Sequence, residues 1–226
     1  MSDLIDTTEM YLRTILELEE EGHIPMRARI SERLDQSGPT VSETVARMEK
    51  NGLVIVSNDR HLELTESGRK LATEVMRKHR LAELLLARVI GLDWHLVHEE
   101  ACRWEHVMSE QVELRILELV PDSEISPFGN PVPGLEMLGR AKSSALHDEV
   151  APLIEHLDQE VIIKRIAEPL QVYPDALAHL AATGIVPGAR VTASQLAARV
   201  EVTVLETGQK LALTAFDVAH IFVSVA

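Results

Sequence analysis

The chain has 226 residues, of which 46% are hydrophobic, with a single cysteine and a formal net charge of −14. One cysteine excludes an internal disulfide and suits a reducing compartment, while the polar, acidic start and the lack of any apolar run near the roughly 18 residues of a membrane span argue against a secretory leader or anchor. The expectation is a soluble, cytoplasmic protein. The acidic total speaks against nucleic acid, but residues 24–80 hold 11 Lys/Arg against 8 Asp/Glu, net +3, leaving net −17 elsewhere. A local basic surplus is enough for one module to face phosphates.

Residues 4–21 show the apolar spacing of an amphipathic helix, with Met10, Leu12, Ile15 and Leu18 on one stripe, Thr7 or Thr8 as cap and Gly22 as stop. A short helix follows from Arg27, then a turn, then a second helix over 41–50. Ser37 is placed to cap that helix, Pro39 suits its first turn, and Gly52 stands where a C-terminal glycine belongs. Val41, Val45 and Met48 form its inward stripe, which leaves Thr40, Ser42, Glu43 and Arg47 facing out. Residues 53–56 and 62–65 flank a polar tip at 57–60 and predict a hairpin. Helix, turn, helix and hairpin together predict a winged helix-turn-helix, whose second helix fits a major groove. Ser37, Pro39 and Thr40 are short enough to approach base edges, and Arg27, Arg47, Lys50 and Arg60 are placed for phosphates. Glu43 is the awkward member, useful to DNA only as an acceptor from a cytosine amino group.

A long helix is predicted from about 67 to 90, capped by Thr65 to Gly68 and ended by Gly91, followed by helical pattern over 94–119 with an interruption near Val97. The Pro/Gly-rich stretch from Pro121 to Gly139 reads as a linker of polyproline II character. Beyond it, short β-rich runs at 161–166, 188–192, 200–205, 210–214 and 219–225, with one helix over 174–183, predict a small SH3-like β-barrel.

Cys102, Glu105 and His106 stand at i, i+3 and i+4, which on one helix would place thiolate, carboxylate and imidazole on a single face. His79 and Glu83 repeat the i, i+4 relation, and His98 lies just ahead of Cys102. The first set, open to completion by a thioether, favours a borderline first-row ion: Fe(II), Co(II), Ni(II) or Zn(II). The second is a harder nitrogen/oxygen set. An inert buried thiol is the bland alternative for Cys102, but burying Glu105 and His106 beside it without a partner would be costly. No catalytic motif is present: no His-Glu-x-x-His, P-loop or nucleophile elbow, and no catalytic residue is expected.

The segments Asp6-Thr7-Thr8-Glu9-Met10-Tyr11-Leu12-Arg13, 33–42, Met76 to Glu83, Glu100 to Met108 and Ser126 to Gly134 together resemble the diphtheria-toxin-repressor family of iron-dependent transcription regulators, in its three-domain branch. The resemblance covers most of the chain and weakens beyond about residue 140. It implies a mainly α fold with β: a winged helix-turn-helix over 1–73, a helical metal-binding and dimerisation domain with the Pro-rich linker over 74–140, and an SH3-like domain over 141–226. It also implies a primary metal site of Met10, Cys102, Glu105 and His106, and an ancillary site of His79, Glu83 and His98 supplemented by Glu168 and Gln171. Manganese-responsive relatives carry carboxylates where Met10 and Cys102 stand, so sulfur here points to Fe(II), for which Co(II), Ni(II), Mn(II) or Zn(II) can substitute.

The implied function is an Fe(II)-activated homodimeric repressor of iron uptake and homeostasis genes, acting on double-stranded operator DNA without membrane contact. The Pro127–Pro133 segment is a candidate intramolecular ligand of the SH3-like domain. The alternatives are a manganese-responsive regulator of the same fold and a metal storage or trafficking protein that binds no DNA. Glu43 departs from the Gln common in the family, and Lys50 replaces an Arg.

Overall fold

The structure is a computed structural model that describes residues 7–144 and 149–225. The predicted start of the first helix, residues 4–6, lies outside the described residues. The chain divides into two compact units, one reaching to His79 and including Arg103–Ser109, the other made of Arg80–Cys102 and the chain from Glu110 on.

In the first unit, α1 (Thr7–Glu20) buries Tyr11, Leu12, Ile15 and Leu18 against α2 (Arg27–Arg33) and α3 (Gly38–Lys50). Ser37 caps α3, its hydroxyl accepting from the Thr40 amide at 3.3 Å, with Pro39 in the first turn. Val41, Thr44, Val45 and Met48 face the core, and Gly52 ends the turn with φ +71°, a conformation a side chain would resist. The hairpin of β1 (Val54–Val56) and β2 (Leu62–Leu64) is antiparallel, pairing Val54 with Leu64. Its position is fixed by Glu49, which accepts from the Val56 amide at 3.1 Å. The Thr65 hydroxyl accepts from the Gly68 amide at 3.0 Å and starts α4 (Glu66–Leu85). Gly68 is obligatory there, because a Cβ would stand 1.9 Å from the Leu53 carbonyl oxygen.

The predicted long helix ends in a π-helical turn over Leu86–Ile90, with Gly91 left-handed at φ +76°. Next, α5 (Trp94–Trp104) runs through Val97 unbroken, and α6 (Glu110–Leu119) follows. The interruption therefore falls at 105–109, not near Val97. The Trp104 carbonyl accepts from the amides of both Val107 and Met108 at 3.1 Å, closing the helix in a turn. Glu105 and His106 thus lie in the turn that follows the helix carrying Cys102 and not within it.

In the second unit the Pro/Gly-rich stretch is packed, not a solvated linker. Phe128, Asn130, Pro131, Val132 and Leu135 are buried, and Leu135–Leu138 form a 3-10 turn. Trp94 Nε1 donates to the Pro127 carbonyl at 3.1 Å, and its ring lies 4.7 Å from that of Phe128.

The C-terminal portion forms one antiparallel sheet from β3 (Ala151–Pro152), β4 (Glu160–Ile166), β5 (Arg190–Leu196), β6 (Arg199–Val204), β7 (Lys210–Leu213) and β8 (Ile221–Val225). The order is β3-β8-β4-β5-β6-β7. Every predicted strand is present. Among the described residues the two edge strands, β3 and β7, are not paired, so the pairing gives a sheet of the expected class without closing a barrel. It is accompanied by α7 (Glu168–Gln171), α8 (Pro174–Thr183) and α9 (Ala215–Ala219), the last held by a reciprocal Thr214–Asp217 cap.

Candidate metal centre and nucleic-acid interface

The first unit gathers ionisable side chains around the turn after α5. Glu105 is 1% exposed. Its Oε2 accepts from Arg13 Nη1 at 2.6 Å and lies 2.6 Å from His79 Nδ1, while its Oε1 is 3.3 Å from His106 Nε2. His106 Nδ1 is in turn 2.7 Å from Glu9 Oε2. Burial works to raise the Glu105 pKa, but the Arg13 charge and the His79 hydrogen bond outweigh it and hold the carboxyl down at about 2. His106 is shifted the other way. The hydrogen bond to Glu9 leads, burial opposes it, and the net effect is a raised pKa. Met10 sits half-buried on α1 between Glu9 and Arg13, its carbonyl accepting from the Thr14 hydroxyl at 2.9 Å.

Arg13 also donates from Nε to Glu17 Oε1 at 2.7 Å. Glu17 Oε2 receives Arg33 Nη1 at 3.4 Å, and Arg33 Nη2 donates to Glu21 at 2.8 Å. A buried line of alternating charge therefore runs from Glu105 to α2 of the helix-turn-helix. Glu9, Arg13 and Glu17 were not among the residues singled out from the sequence. Only the i, i+4 spacing of Arg13 and Glu17 hinted at a pair.

The second unit holds the other donors. His98 is flanked by Glu83 Oε1, 3.6 Å from its Nδ1, and by Cys102 Sγ, 3.5 Å from its Nε2. Cys102, half-buried, thus meets a histidine assigned to the other set, just as Glu105 meets His79 in the first unit. Glu168 is reached from α4 by Arg80, whose Nη2 and Nε donate to its Oε1 at 2.6 and 3.2 Å. Gln171, 1% exposed, donates from Nε2 to the Ile166 carbonyl at 2.7 Å, and its Oε1 is buried with no hydrogen-bond partner among the described residues. Carboxylates, imidazoles, a thiol and an orphaned amide oxygen form a donor chemistry that fits a divalent first-row ion.

On the winged helix, Ser37, Pro39, Thr40, Ser42, Glu43, Arg47 and Lys50 are all exposed along one side of α3, while Arg27 is half-buried at the start of α2. Arg60 stands exposed at the hairpin tip with φ +68°, its amide donating to the Ser57 carbonyl at 3.0 Å. An exposed helix face bearing hydroxyls, two cations and the Glu43 carboxylate, with Arg60 on the neighbouring hairpin tip, presents groups a duplex groove can meet.

Residues 3–62 match the model of the iron dependent repressor N-terminal DNA binding domain, and 65–134 that of the iron dependent repressor metal binding and dimerisation domain. The chain is 56% identical over 196 residues to the iron-dependent repressor IdeR of Mycobacterium tuberculosis, covering 85% of each. It is also 56% identical over 193 residues to the diphtheria toxin repressor of Corynebacterium diphtheriae, covering 84% of this chain and 85% of that one. Among solved structures, IdeR of T. acidophilum superposes with a TM-score of 0.75 at 29% identity, covering 96% of this chain and 97% of that one. A manganese-dependent transcriptional repressor in complex with manganese superposes at 0.83 and 25%, covering 97% and 100%. With two repressor domains spanning residues 3–134 and relatives this similar over most of its length, the chain belongs to the iron-dependent repressor family of metal-dependent, DNA-binding transcription regulators.

Proposed function

We propose that the protein is an Fe(II)-activated homodimeric repressor that binds double-stranded operator DNA in the cytoplasm and silences iron uptake and homeostasis genes when iron is sufficient. The observation that carries this reading is the junction in the first unit: the α1 residues Glu9 and Arg13 reach His106 and Glu105, and the same α1 packs against the helix-turn-helix. Met10, Cys102, Glu105 and His106 would hold the primary ion, and His79, Glu83, His98, Glu168 and Gln171 the ancillary one. A divalent ion there would supply positive charge shared by ligands on α1 and on the 102–106 segment. Sulfur donors in the primary set favour Fe(II) over Mn(II), and relatives named as iron-dependent repressors support the same choice. The manganese-responsive reading draws on the similarity to the manganese-dependent repressor complex.

On DNA, Ser37, Pro39, Thr40, Ser42 and Glu43 face base edges, and Arg27, Arg47, Lys50 and Arg60 neutralise phosphates. A winged helix fixed relative to its dimer partner matches two half-sites about 34–36 Å apart or a multiple of that spacing. The role given to the Pro127–Pro133 segment is a docked strap on the C-terminal module. It is supported by Ile166, whose amide donates to the Phe128 carbonyl and whose carbonyl accepts from Asn130 Nδ2, both at 2.8 Å.

The test is operator binding by fluorescence anisotropy under anaerobic conditions across Fe(II), Mn(II), Co(II) and Zn(II). Sequence-specific binding should require metal, with Fe(II) activating at lower concentration than Mn(II). Full affinity in strong chelator would overturn the repressor switch, and preferential activation by Mn(II) would overturn the iron assignment.

A further inference from the structure

His106 meets two carboxylates through its two different ring nitrogens: Nδ1 is 2.7 Å from Glu9 Oε2, and Nε2 is 3.3 Å from Glu105 Oε1. A neutral imidazole carries one proton, and the nitrogen in the shorter contact with a carboxylate keeps it, leaving the other as a lone-pair donor. The Glu9 contact is the shorter and is made by a side chain only 27% exposed, to a His side chain 6% exposed. Glu105 divides its oxygens in a complementary way, with Oε2 held by Arg13 and His79 and Oε1 turned to His106. Glu9 and Arg13 are i and i+4 on α1, so one helical face supplies a partner to each of the two residues.

We infer that Glu9 is a positioning residue for metal binding: it fixes His106 as the Nδ1–H tautomer and presents Nε2 on the side of Glu105 Oε1, so that α1 carries the outer support of the centre. The inference rests on reading His106 and Glu105 as ligands. A ligating imidazole whose other nitrogen donates to a carboxylate is oriented and made more basic, and loss of such a partner typically weakens metal binding about 10- to 100-fold. It also gives α1 a second hold on the centre beside Met10, so that an undocked α1 leaves His106 free to take the other tautomer.

The test uses the full-length protein labelled with 15N-histidine. In the metal-free protein at a pH where His106 is neutral, its ring nitrogens should report Nδ1–H. Glu9→Ala should shift the population to Nε2–H, and Glu9→Gln, whose amide oxygen still accepts, should restore Nδ1–H. Co(II) affinity, measured by absorbance against a competing chelator, should fall about 10- to 100-fold in Glu9→Ala and recover in Glu9→Gln. An Nε2–H tautomer in the unmodified protein, or a Glu9→Ala variant with unchanged tautomer and affinity, would overturn the role of Glu9. Absence of any Co(II)-induced shift at His106 in the unmodified protein would overturn the ligand reading, and this inference with it.

Discussion

Replacing Arg13 by Leu keeps most of the aliphatic stem and removes the guanidinium that joins Glu105 and Glu17. Both carboxylates are almost wholly buried, at 1% and 5% exposure, and their contacts to Arg13 are 2.6 and 2.7 Å. Breaking a buried pair by deleting one partner costs about 3–5 kcal/mol, because the remaining charge has lost both water and its counterion. Burial works against the charged form of Glu105, and the Arg13 charge, with the His79 hydrogen bond, outweighs it and holds the carboxyl down at about 2. Arg13→Leu should therefore lose about 3–5 kcal/mol in urea denaturation with chelator present. Divalent metal should recover part of the loss, since it offers Glu105 another cation. Arg115→Leu is the control: its pair with Glu118 is exposed at 77% and 56%, and such pairs contribute about 0–1 kcal/mol. A loss below about 1 kcal/mol in Arg13→Leu, no larger than the control, would refute the reasoning.

Gly129→Ala should destabilise the second unit by several kcal/mol, on the order of the largest single-site effects, because φ is +84° and a Cβ would stand 1.9 Å from the Lys164 carbonyl oxygen; thermal unfolding checks this, and an unchanged midpoint would contradict it. Arg47→Ala should weaken binding to all DNA sequences alike and lower the salt slope by about 1, as measured by anisotropy against salt concentration. Cys102→Ala should weaken metal-dependent activation while leaving the far-ultraviolet circular dichroism unchanged; full response to Fe(II) would remove Cys102 from the ligand set.

The winged helix was legible because its signals are local. Ser37, Pro39 and Gly52 punctuate α3 through bonds and dihedrals within a few residues, and the 3.6-residue spacing of Val41, Val45 and Met48 marks its buried face. Around Glu105 the sequence shows residue types suited to a metal, but not which of them meet. Nothing in the run from Cys102 to Met108 breaks a helix by propensity, and the turn at Glu105 goes with partners 92 and 26 residues away, Arg13 and His79. Glu9 and Arg80 escaped notice for the same reason, since each acquires meaning only through a partner remote in sequence.

The Pro/Gly-rich stretch misled in another way. Its composition is that of a solvated linker, yet Phe128 and Val132 are fully buried, and the Phe128 carbonyl and the Asn130 side chain both bond to the Ile166 backbone. In the C-terminal portion β4 to β8 could be read from short β-rich runs and the two-residue β3 could not, whereas the order β3-β8-β4-β5-β6-β7 depends on pairings such as Ile163 with Val223 that no local pattern encodes.

The central claim is that metal and operator favour the same arrangement of the chain, and thermodynamic linkage makes that claim reciprocal. Fe(II) affinity should be titrated anaerobically on the protein alone and on the protein with saturating operator duplex. The account predicts that operator tightens Fe(II) binding by the same factor by which Fe(II) tightens operator binding. Equal Fe(II) affinity with and without operator would contradict it.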